Sequence, residues 1–356
     1  MLRCELDLGE SPWSRLAEGR VAGTIRWGGS NALPAWVKIR GAHSRKFPKK
    51  SLQVDMDGER LPDQPPAGHT VRRLHLNADY IDPTLMRSAL SFQLFHNVGA
   101  LAPLCRHAEL TVSGEQPVLY MALESVDTDF CIRRGLEPGY IYYALNRNAN
   151  FGLISPNTRE LKQPLDVGYR LVQQADAAPL RRLIMDLNLA SENRFPAVAE
   201  RCFDVPGYLL WLMVAVFVGN RDGFVHNYAL YREPSSGIFR IIPWDYDATW
   251  GIDVHGRPAR LDRVPVEGWN RLTQRLLAAP FYRRQYKKLF LEHLNGALSP
   301  DSVGALIDKM SDQVGAWIDT NLQGAEAQRR FSTGVAGLKW WAEQRRELLL
   351  SQLADL

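Results

Sequence analysis

Cysteine is scarce in this chain, and the few present form no pattern. Four occur, at positions 4, 105, 131 and 202, and none stands in a C-x-x-C or zinc-finger spacing. The eight histidines include no H-E-x-x-H pair, and the chain has neither a G-x-S-x-G turn nor a G-x-G-x-x-G fingerprint. These absences argue against a disulfide framework, a zinc site, a serine hydrolase and a dehydrogenase.

Long hydrophobic runs and long runs of like charge are absent as well. The most hydrophobic stretch, residues 208–219, falls short of the roughly 20 residues that cross a bilayer, so we predict a buried helix there. The formal net charge is only +4. We therefore expect no membrane and no nucleic-acid partner, whereas a phosphate-bearing ligand is compatible. Residues 1–30 contain acids and no apolar core, so we expect no secretory signal and a cytoplasmic location.

What remains is an ordinary globular composition, with 46% hydrophobic and 23% charged residues in a chain of 356. The patterns predict an α+β fold with a small β-rich part, residues 1–123, and a larger mainly α-helical part, residues 124–356. An Asn-, Gly- and Pro-rich stretch, residues 140–163, predicts an extended loop. The predicted strands are 21–27, 36–40, 51–55, 72–76, 109–112 and 118–123, and the predicted helices are 83–94, 180–190, 206–217, 270–278, 282–294, 301–322 and 337–353.

The chemistry-bearing residue types concentrate in residues 219–251. Asp222 and Asn227 have the D-x-x-x-x-N spacing of a protein-kinase catalytic loop, in which the Asp accepts the hydroxyl proton and the Asn binds metal. Two apolar runs, 228–232 and 238–242, flank turn residues and predict a hairpin that leads to Asp245 in P-W-D-Y-D. Taken alone, Asp222 is more readily a turn residue. The order of loop, hairpin and second Asp predicts a phosphoryl-transfer centre.

Four separated blocks extend this pattern, and on them the chain resembles the CotH kinase family, the atypical kinases named for spore coat protein H. The blocks are an R-G turn followed by a basic segment (38–51), L-N-x-D with D-P-x-x-M-R (76–87), E-x-x-D-x-x-F (124–130), and the segment 219–251 that contains P-W-D-Y-D.

The resemblance implies a two-lobed protein-kinase-like fold with residues 1–123 as the N-lobe and 124–356 as the C-lobe. It also implies use of ATP with Mg²⁺, or alternatively Mn²⁺, to phosphorylate Ser-rich proteins, which in spore formers are those of the coat. Asp222 then corresponds to the catalytic Asp, Asn227 to a metal ligand and Asp245 to the metal-binding Asp. In a spore former the cytoplasm concerned is that of the mother cell.

Lys49 and Lys50 are the candidates for the lysine that pairs with the nucleotide phosphates, and the resemblance slightly favours Lys49. The alternative is that both are solvated charges at a strand edge. Arg40 and Arg45 belong to the turn in which a phosphate-covering loop is expected, although without the other blocks an ordinary β-turn with exposed basic residues would be the default interpretation.

Glu124 and Asp127 follow an apolar run, where a kinase chain crosses between lobes and reaches adenine or ribose. The equal alternative is an N-terminal helix cap. Residues 80–97 contain no Glu, so the partner of the phosphate lysine, a helix Glu in ordinary kinases, is open.

Residues 251–268 contain Arg257, Arg260 and Arg263, and form either an activation or substrate segment or a solvated basic loop. Three functions stay in contention: a Ser/Thr protein kinase, which we favour; a kinase-fold nucleotidyltransferase or small-molecule kinase; and a non-catalytic spore coat assembly scaffold.

Overall fold

The computed structural model describes residues 1–28, 31–41, 44–59, 71–172, 175–322 and 324–356. The strands are β1 (Leu2–Asp7), β2 (Val21–Trp27), β3 (Leu33–Ile39), β4 (Leu52–Glu59), β5 (Val71–Asn77), β6 (Cys105–Val112), β7 (Val118–Glu124), β8 (Tyr140–Ala144), β9 (Tyr169–Val172), β10 (Tyr228–Arg232) and β11 (Phe239–Pro243). The helices are α1 (Pro12–Glu18), α2 (Arg87–Asn97), α3 (Thr128–Arg133), α4 (Ala177–Leu189), α5 (Phe195–Cys202), α6 (Val205–Phe217), α7 (Arg271–Ala278), α8 (Pro280–Leu294), α9 (Pro300–Asn321) and α10 (Ala325–Asp355).

The chain folds into two compact units. Unit 1 comprises residues 1–89, 103–136 and 309–334, and unit 2 comprises residues 90–102, 137–308 and 335–356. The α+β class is confirmed. The division into lobes at residues 123 and 124 stays a prediction.

Unit 1 contains a closed barrel with the strand order β1-β2-β3-β4-β5-β7-β6. Parallel pairing of β1 with β6 closes it, while its other neighbouring strands run antiparallel. Alternate side chains point inward, as Cys4 and Leu6 do in β1 and Ala35 and Val37 do in β3, and they form one apolar core. All six predicted strands lie in this barrel, but the predicted set lacked β1 and helix α1.

Unit 2 contains a four-stranded antiparallel sheet of order β11-β10-β8-β9. Helix α6 is buried on almost all sides, which confirms the predicted buried helix. The predicted loop over residues 140–163 is wrong at its start, because Tyr140–Ala144 is strand β8. Its aromatic and β-branched residues favour a strand, whereas the Asn and Gly residues that suggested a loop begin after it. None of the described helices combines the length and apolar character that crossing a membrane requires.

Candidate active site

Helix α6 leads directly into the predicted catalytic loop. Asp204 caps its first turn by accepting a hydrogen bond from the Gly207 amide at 3.1 Å. At its other end Gly219 has φ 71°, and a Cβ there would lie 2.7 Å from the Trp341 ring. Gly251, which ends the segment, would meet the same ring at 2.9 Å. Both ends of residues 219–251 are thus held against one buried tryptophan.

Asp222 begins a short 3₁₀ turn, Asp222–Phe224, that is anchored in the core of unit 2. The ring of Phe224 is fully buried, and the Asn220 side chain accepts a hydrogen bond from the Gly223 amide at 2.9 Å. The side chain of Asp222 is 30% exposed. The loop therefore holds a rigid backbone and presents one partly accessible carboxylate.

His226 is the partner of Asp222 that the sequence analysis missed. Its Nε2 lies 3.6 Å from Asp222 Oδ2. This contact is the largest cause of a lowered pKa for Asp222; burial opposes it, and the charges of Arg263 and Arg221 add to the lowering. The i,i+4 spacing of Asp222 and His226 was the available signal. Asp222 is consequently ionised at neutral pH and able to accept a hydrogen bond from a hydroxyl.

Asn227 and Asp245 meet at the base of the β10–β11 hairpin, which confirms the predicted hairpin. Tyr228 pairs with Pro243, and the Trp244 amide donates to the Asn227 carbonyl at 3.1 Å. The Asn227 side-chain amide nitrogen donates to the Asp245 carbonyl at 3.4 Å. Both residues are left-handed, with φ 59° and 60°. Non-glycine residues in this conformation cost on the order of 1–3 kcal/mol and cluster at functional sites.

The donor chemistry at this hairpin base fits Mg²⁺ or Mn²⁺. Asp245 contributes a carboxylate, and the amide oxygen of Asn227 is left out of the bond that its nitrogen makes. Oxygen ligands of this kind suit hard divalent cations, which usually complete their shell with phosphates and water. Among the described residues no group of three or more His, Cys, Asp or Glu forms a further metal cluster.

Lys49 lies in unit 1, in the segment just before β4 and not on a strand. Its Nζ donates to the carbonyl oxygens of Ala78 and Leu119, each at 2.5 Å, and lies 4.6 Å from the centre of the Tyr120 ring. Burial lowers its pKa to about 8, against the opposing charges of Asp79 and Asp82. Lys49 is thus not a solvated strand-edge charge.

The acidic neighbours of Lys49 are therefore Asp79 and Asp82. They lie at the start of the stretch up to residue 97 that contains no Glu. Lys50, by contrast, donates to the carbonyls of Arg45 and Phe47, both at 2.7 Å. The two lysines consequently have different surroundings, and Lys49 has the acidic ones.

Arg40 and Arg45 brace the turn that they were predicted to line. Arg40 donates to the side chain of Asn77, and Arg45 donates to the carbonyls of Gly41 and Ile39 at 2.9 and 3.2 Å. Residues 42 and 43 of this turn lie outside the described residues. Contact of either arginine with phosphate stays a prediction.

Glu124 and Asp127 are both buried in unit 1. Glu124 forms ion pairs with Arg133 and Arg134; its burial opposes ionisation, but these arginines outweigh it and lower the pKa of Glu124. Asp127 caps α3 by accepting from the Phe130 amide at 3.2 Å, as the capping alternative expects. Burial raises the pKa of Asp127 to about 6. Binding of adenine or ribose by either residue stays a prediction.

The family is shown by comparison with known proteins. Residues 37–349 match the family described as CotH kinase protein, and the chain belongs to this family. It is 38% identical to the inner spore coat protein H of Bacillus subtilis (strain 168) over 280 residues, which are 78% of this chain and 76% of that protein.

Two further comparisons give weaker matches. The inner spore coat protein H-like protein of the same organism is 22% identical over 241 residues, which are 67% of this chain and 66% of that protein. A solved structure of the Shewanella oneidensis MR-1 toxin–antitoxin system HipA, HipB and its operator DNA matches 85% of this chain and 65% of that chain, with 12% identity and a TM-score of 0.39. The chain spans just under two thirds of each of these two proteins.

Proposed function

We propose that this protein is an ATP-dependent kinase that transfers the γ-phosphoryl group of ATP to Ser or Thr hydroxyls of proteins, with Ser-rich spore coat proteins as substrates. Family membership supports a kinase. The observation that carries the proposal is the strained pair Asn227 and Asp245 at the base of a hairpin that directly follows the Asp222 loop. Two oxygen-bearing side chains for a metal ion and one ionised Asp for the acceptor hydroxyl are the groups that a phosphoryl-transfer site requires.

Each residue has a distinct role in this proposal. Asp222 orients the acceptor hydroxyl and accepts its proton, and its lowered pKa keeps it ready to do so. His226 holds the Asp222 carboxylate in position. Asn227 and Asp245 would hold Mg²⁺ or Mn²⁺, which would neutralise the charge on the phosphates. ATP would supply the γ-phosphoryl group and leave as ADP. Lys49 pairs with the nucleotide phosphates.

The remaining expectations form part of the same proposal. The chain adopts a two-lobed protein-kinase-like fold, and the protein acts in the mother-cell cytoplasm and the spore coat. Similarity to the inner spore coat protein H of Bacillus subtilis supports that setting.

The test is transfer of label from γ-labelled ATP, with Mg²⁺, to the protein itself and to a Ser-rich acceptor. Wild type is compared with Asp222→Ala and Asp245→Ala, after circular dichroism shows that both variants fold. The matched control is Asp301→Ala, because Asp301 is an exposed acid in the first turn of α9. This variant is expected to retain transfer. Loss of transfer in Asp222→Ala and Asp245→Ala, with transfer retained in Asp301→Ala, would support the proposal.

The opposite result has a defined meaning. If wild type binds ATP but transfers no label, protein phosphorylation is excluded under these conditions. Mass analysis of the acceptor then separates the alternatives, because nucleotidyl transfer adds a nucleotide and a scaffold adds nothing.

A further inference from the structure

A basic cavity lies beside the catalytic loop in unit 2. It has a volume of about 590 Å³. Its lining residues are Arg221, Arg260, Asp262, Arg263, Pro265 and Trp269. Arg221 immediately precedes Asp222, and the charge of Arg263 acts on the Asp222 carboxylate. The cavity is therefore next to the proposed position of the acceptor hydroxyl.

The arginines of this cavity are not neutralised by its one acid. Arg260 and Asp262 form a two-point ion pair, with Nε donating to Oδ1 at 2.8 Å. Among the described residues, the guanidinium groups of Arg221 and Arg263 make no hydrogen bond and no ion pair. The lining holds three arginines and one aspartate, and with the neighbouring Asp222 carboxylate, on which Arg221 and Arg263 act, the region keeps an excess of one positive charge. This excess attracts a phosphorylated serine, whose charge is about −1.5 to −2.

The backbone that carries these arginines is held in place, unlike that of an ordinary solvated loop. The Arg221 guanidinium lies 5.8 Å from the centre of the Trp269 ring, and Trp269 Nε1 donates to the Arg221 carbonyl at 3.1 Å. Arg345, which has no exposed surface, donates to the carbonyls of Leu261 and Val264, on either side of Arg263. The backbone around the cavity is thus pre-organised, which lowers the ordering cost of binding an anion.

We propose that this cavity binds the phosphate of a phosphoserine or phosphothreonine in the acceptor protein, so that the enzyme prefers acceptors already phosphorylated near the target hydroxyl. Two unpaired guanidinium groups recognise a phosphate monoester through charge-assisted hydrogen bonds. The preference for a hydroxyl nearby follows from the adjacency of Arg221 and Asp222. This inference rests on the proposed kinase function.

Binding is tested first, without ATP, so that the result does not depend on catalysis. Fluorescence anisotropy measures the affinity of a labelled Ser-rich peptide and of the same peptide carrying one phosphoserine, at several positions along it. We expect the best phosphopeptide to bind about tenfold tighter than its unphosphorylated counterpart. Arg263→Gln is expected to remove this preference.

Two further variants control for charge and folding. Arg257→Gln alters an exposed arginine of the same segment that pairs with Asp253 and does not line the cavity, so the preference is expected to persist. Asp262→Asn removes the acid of the cavity from an exposed pair and is expected to strengthen phosphopeptide binding.

Transfer kinetics then separate this inference from the proposed function. With γ-labelled ATP, wild type is expected to show a higher kcat/KM for the phosphorylated acceptor, and Arg263→Gln to lose that difference. Equal affinity for both peptides, or a preference unchanged in Arg263→Gln, would overturn the inference even if transfer occurs. Absence of transfer with the binding preference intact would overturn the proposed function and leave the phosphate site standing.

Two further experiments identify which phosphate group occupies the cavity. If ATP displaces the phosphopeptide, the cavity takes nucleotide phosphate and the inference is wrong. The second experiment treats the enzyme with phosphatase before any peptide is added. If this treatment abolishes activity and the two peptides bind equally well, the cavity takes a phosphorylated residue of its own chain, and the proposed acceptor preference is wrong.

Discussion

The side-chain amide nitrogen of Asn227 lies 3.4 Å from the backbone carbonyl oxygen of Asp245, and both residues have left-handed φ angles. The β10–β11 hairpin produces this proximity, because its two strands end beside each other with Tyr228 opposite Pro243. Two non-glycine residues thus share a strained conformation at one point of the chain. Asn and Asp adopt left-handed φ more readily than other non-glycine residues, and an outlier of this kind motivates a functional hypothesis for the side chains involved.

Replacing Asn227 by glycine separates strain from function. Glycine adopts the same φ without strain, and this stabilises the folded state. The gain offsets two destabilising effects, namely the loss of the 3.4 Å hydrogen bond and the greater conformational freedom of the unfolded chain. We expect the free energy of unfolding to change by less than about 1 kcal/mol, while phosphoryl transfer is lost. Urea denaturation and label transfer from ATP measure the two quantities. A glycine variant that keeps wild-type transfer would contradict the metal-ligand role.

The charge of Lys49 is predicted to control ATP binding above neutral pH. Burial lowers its pKa to about 8, so its positive charge disappears as the pH rises through 8. We expect the affinity of wild type for ATP to fall about tenfold between pH 7 and pH 9. Lys49→Arg keeps the charge throughout this range and is expected to flatten the profile, as measured by isothermal titration.

Lys50→Arg serves as the control for that experiment. Within the described part of the chain, the Lys50 side chain donates hydrogen bonds to two backbone carbonyls near its own turn, so the decline above pH 8 is expected to stay as in wild type. A decline that Lys50→Arg removes and Lys49→Arg keeps would assign the phosphate contact to Lys50.

The unfolded state keeps the lysine proton up to about 10.5. The lowered pKa therefore makes the contribution of Lys49 to stability increase as the pH rises from 8 to 10.5.

Asp127 is predicted to destabilise the protein at neutral pH. Burial raises its pKa from 3.8 to about 6, so the folded state holds a proton that the unfolded state has already released. Its contribution to stability therefore decreases as the pH rises from about 4 to 6. Asp127→Asn keeps a good helix cap without the charge. We expect it to raise the free energy of unfolding at pH 7 by on the order of 2 kcal/mol, with little change near pH 4.

Denaturant unfolding at both pH values checks this expectation, with Asp176→Asn as the matched control. Asp176 caps α4 in the same way, but its carboxylate is exposed, so its replacement is expected to change stability by less than about 0.5 kcal/mol. An unchanged affinity of Asp127→Asn for ATP would favour the capping role. A marked loss of affinity would favour contact with the nucleotide.

Arg345 is predicted to be essential for the stability of unit 2. Its buried guanidinium donates to carbonyls of Val216, at the end of α6, and of Leu261 and Val264. Arg345→Met fills much of the space but leaves these carbonyls without their donor. We expect unfolding to become easier by about 3 kcal/mol or more.

Thermal and urea unfolding measure this loss, and Arg346→Met provides the comparison. Arg346 is the next residue of α10, and it is partly exposed and bonds the Leu294 carbonyl and the Asn295 side chain. Its replacement is expected to cost about 1 kcal/mol or less. Equal effects of the two substitutions would show that burial of Arg345 does not matter.

The local features of the candidate site could be predicted from the amino-acid order. Asp222 and Asn227 are five positions apart, and a hairpin is specified by its own turn and alternating strands, so these motifs are read without knowing the rest of the fold. The helix over residues 206–217 is similarly local, since an apolar run of that length is buried wherever it lies. The β8 strand was missed because the polar residues that follow it outweighed its four strand-forming residues, three Tyr and one Ile.

The sequence by itself determined the family, the α+β class and the order of loop, hairpin and Asp245, because each depends on short motifs whose residues are close together in the chain. Only the tertiary structure decided that β1 closes a barrel with β6, that Lys49 has Asp79 and Asp82 as its charged neighbours, and that Arg345 supports the loop carrying Arg263. These contacts join segments separated by tens to hundreds of residues. Their geometry depends on how the whole chain packs, and side-chain burial and pKa follow from that packing.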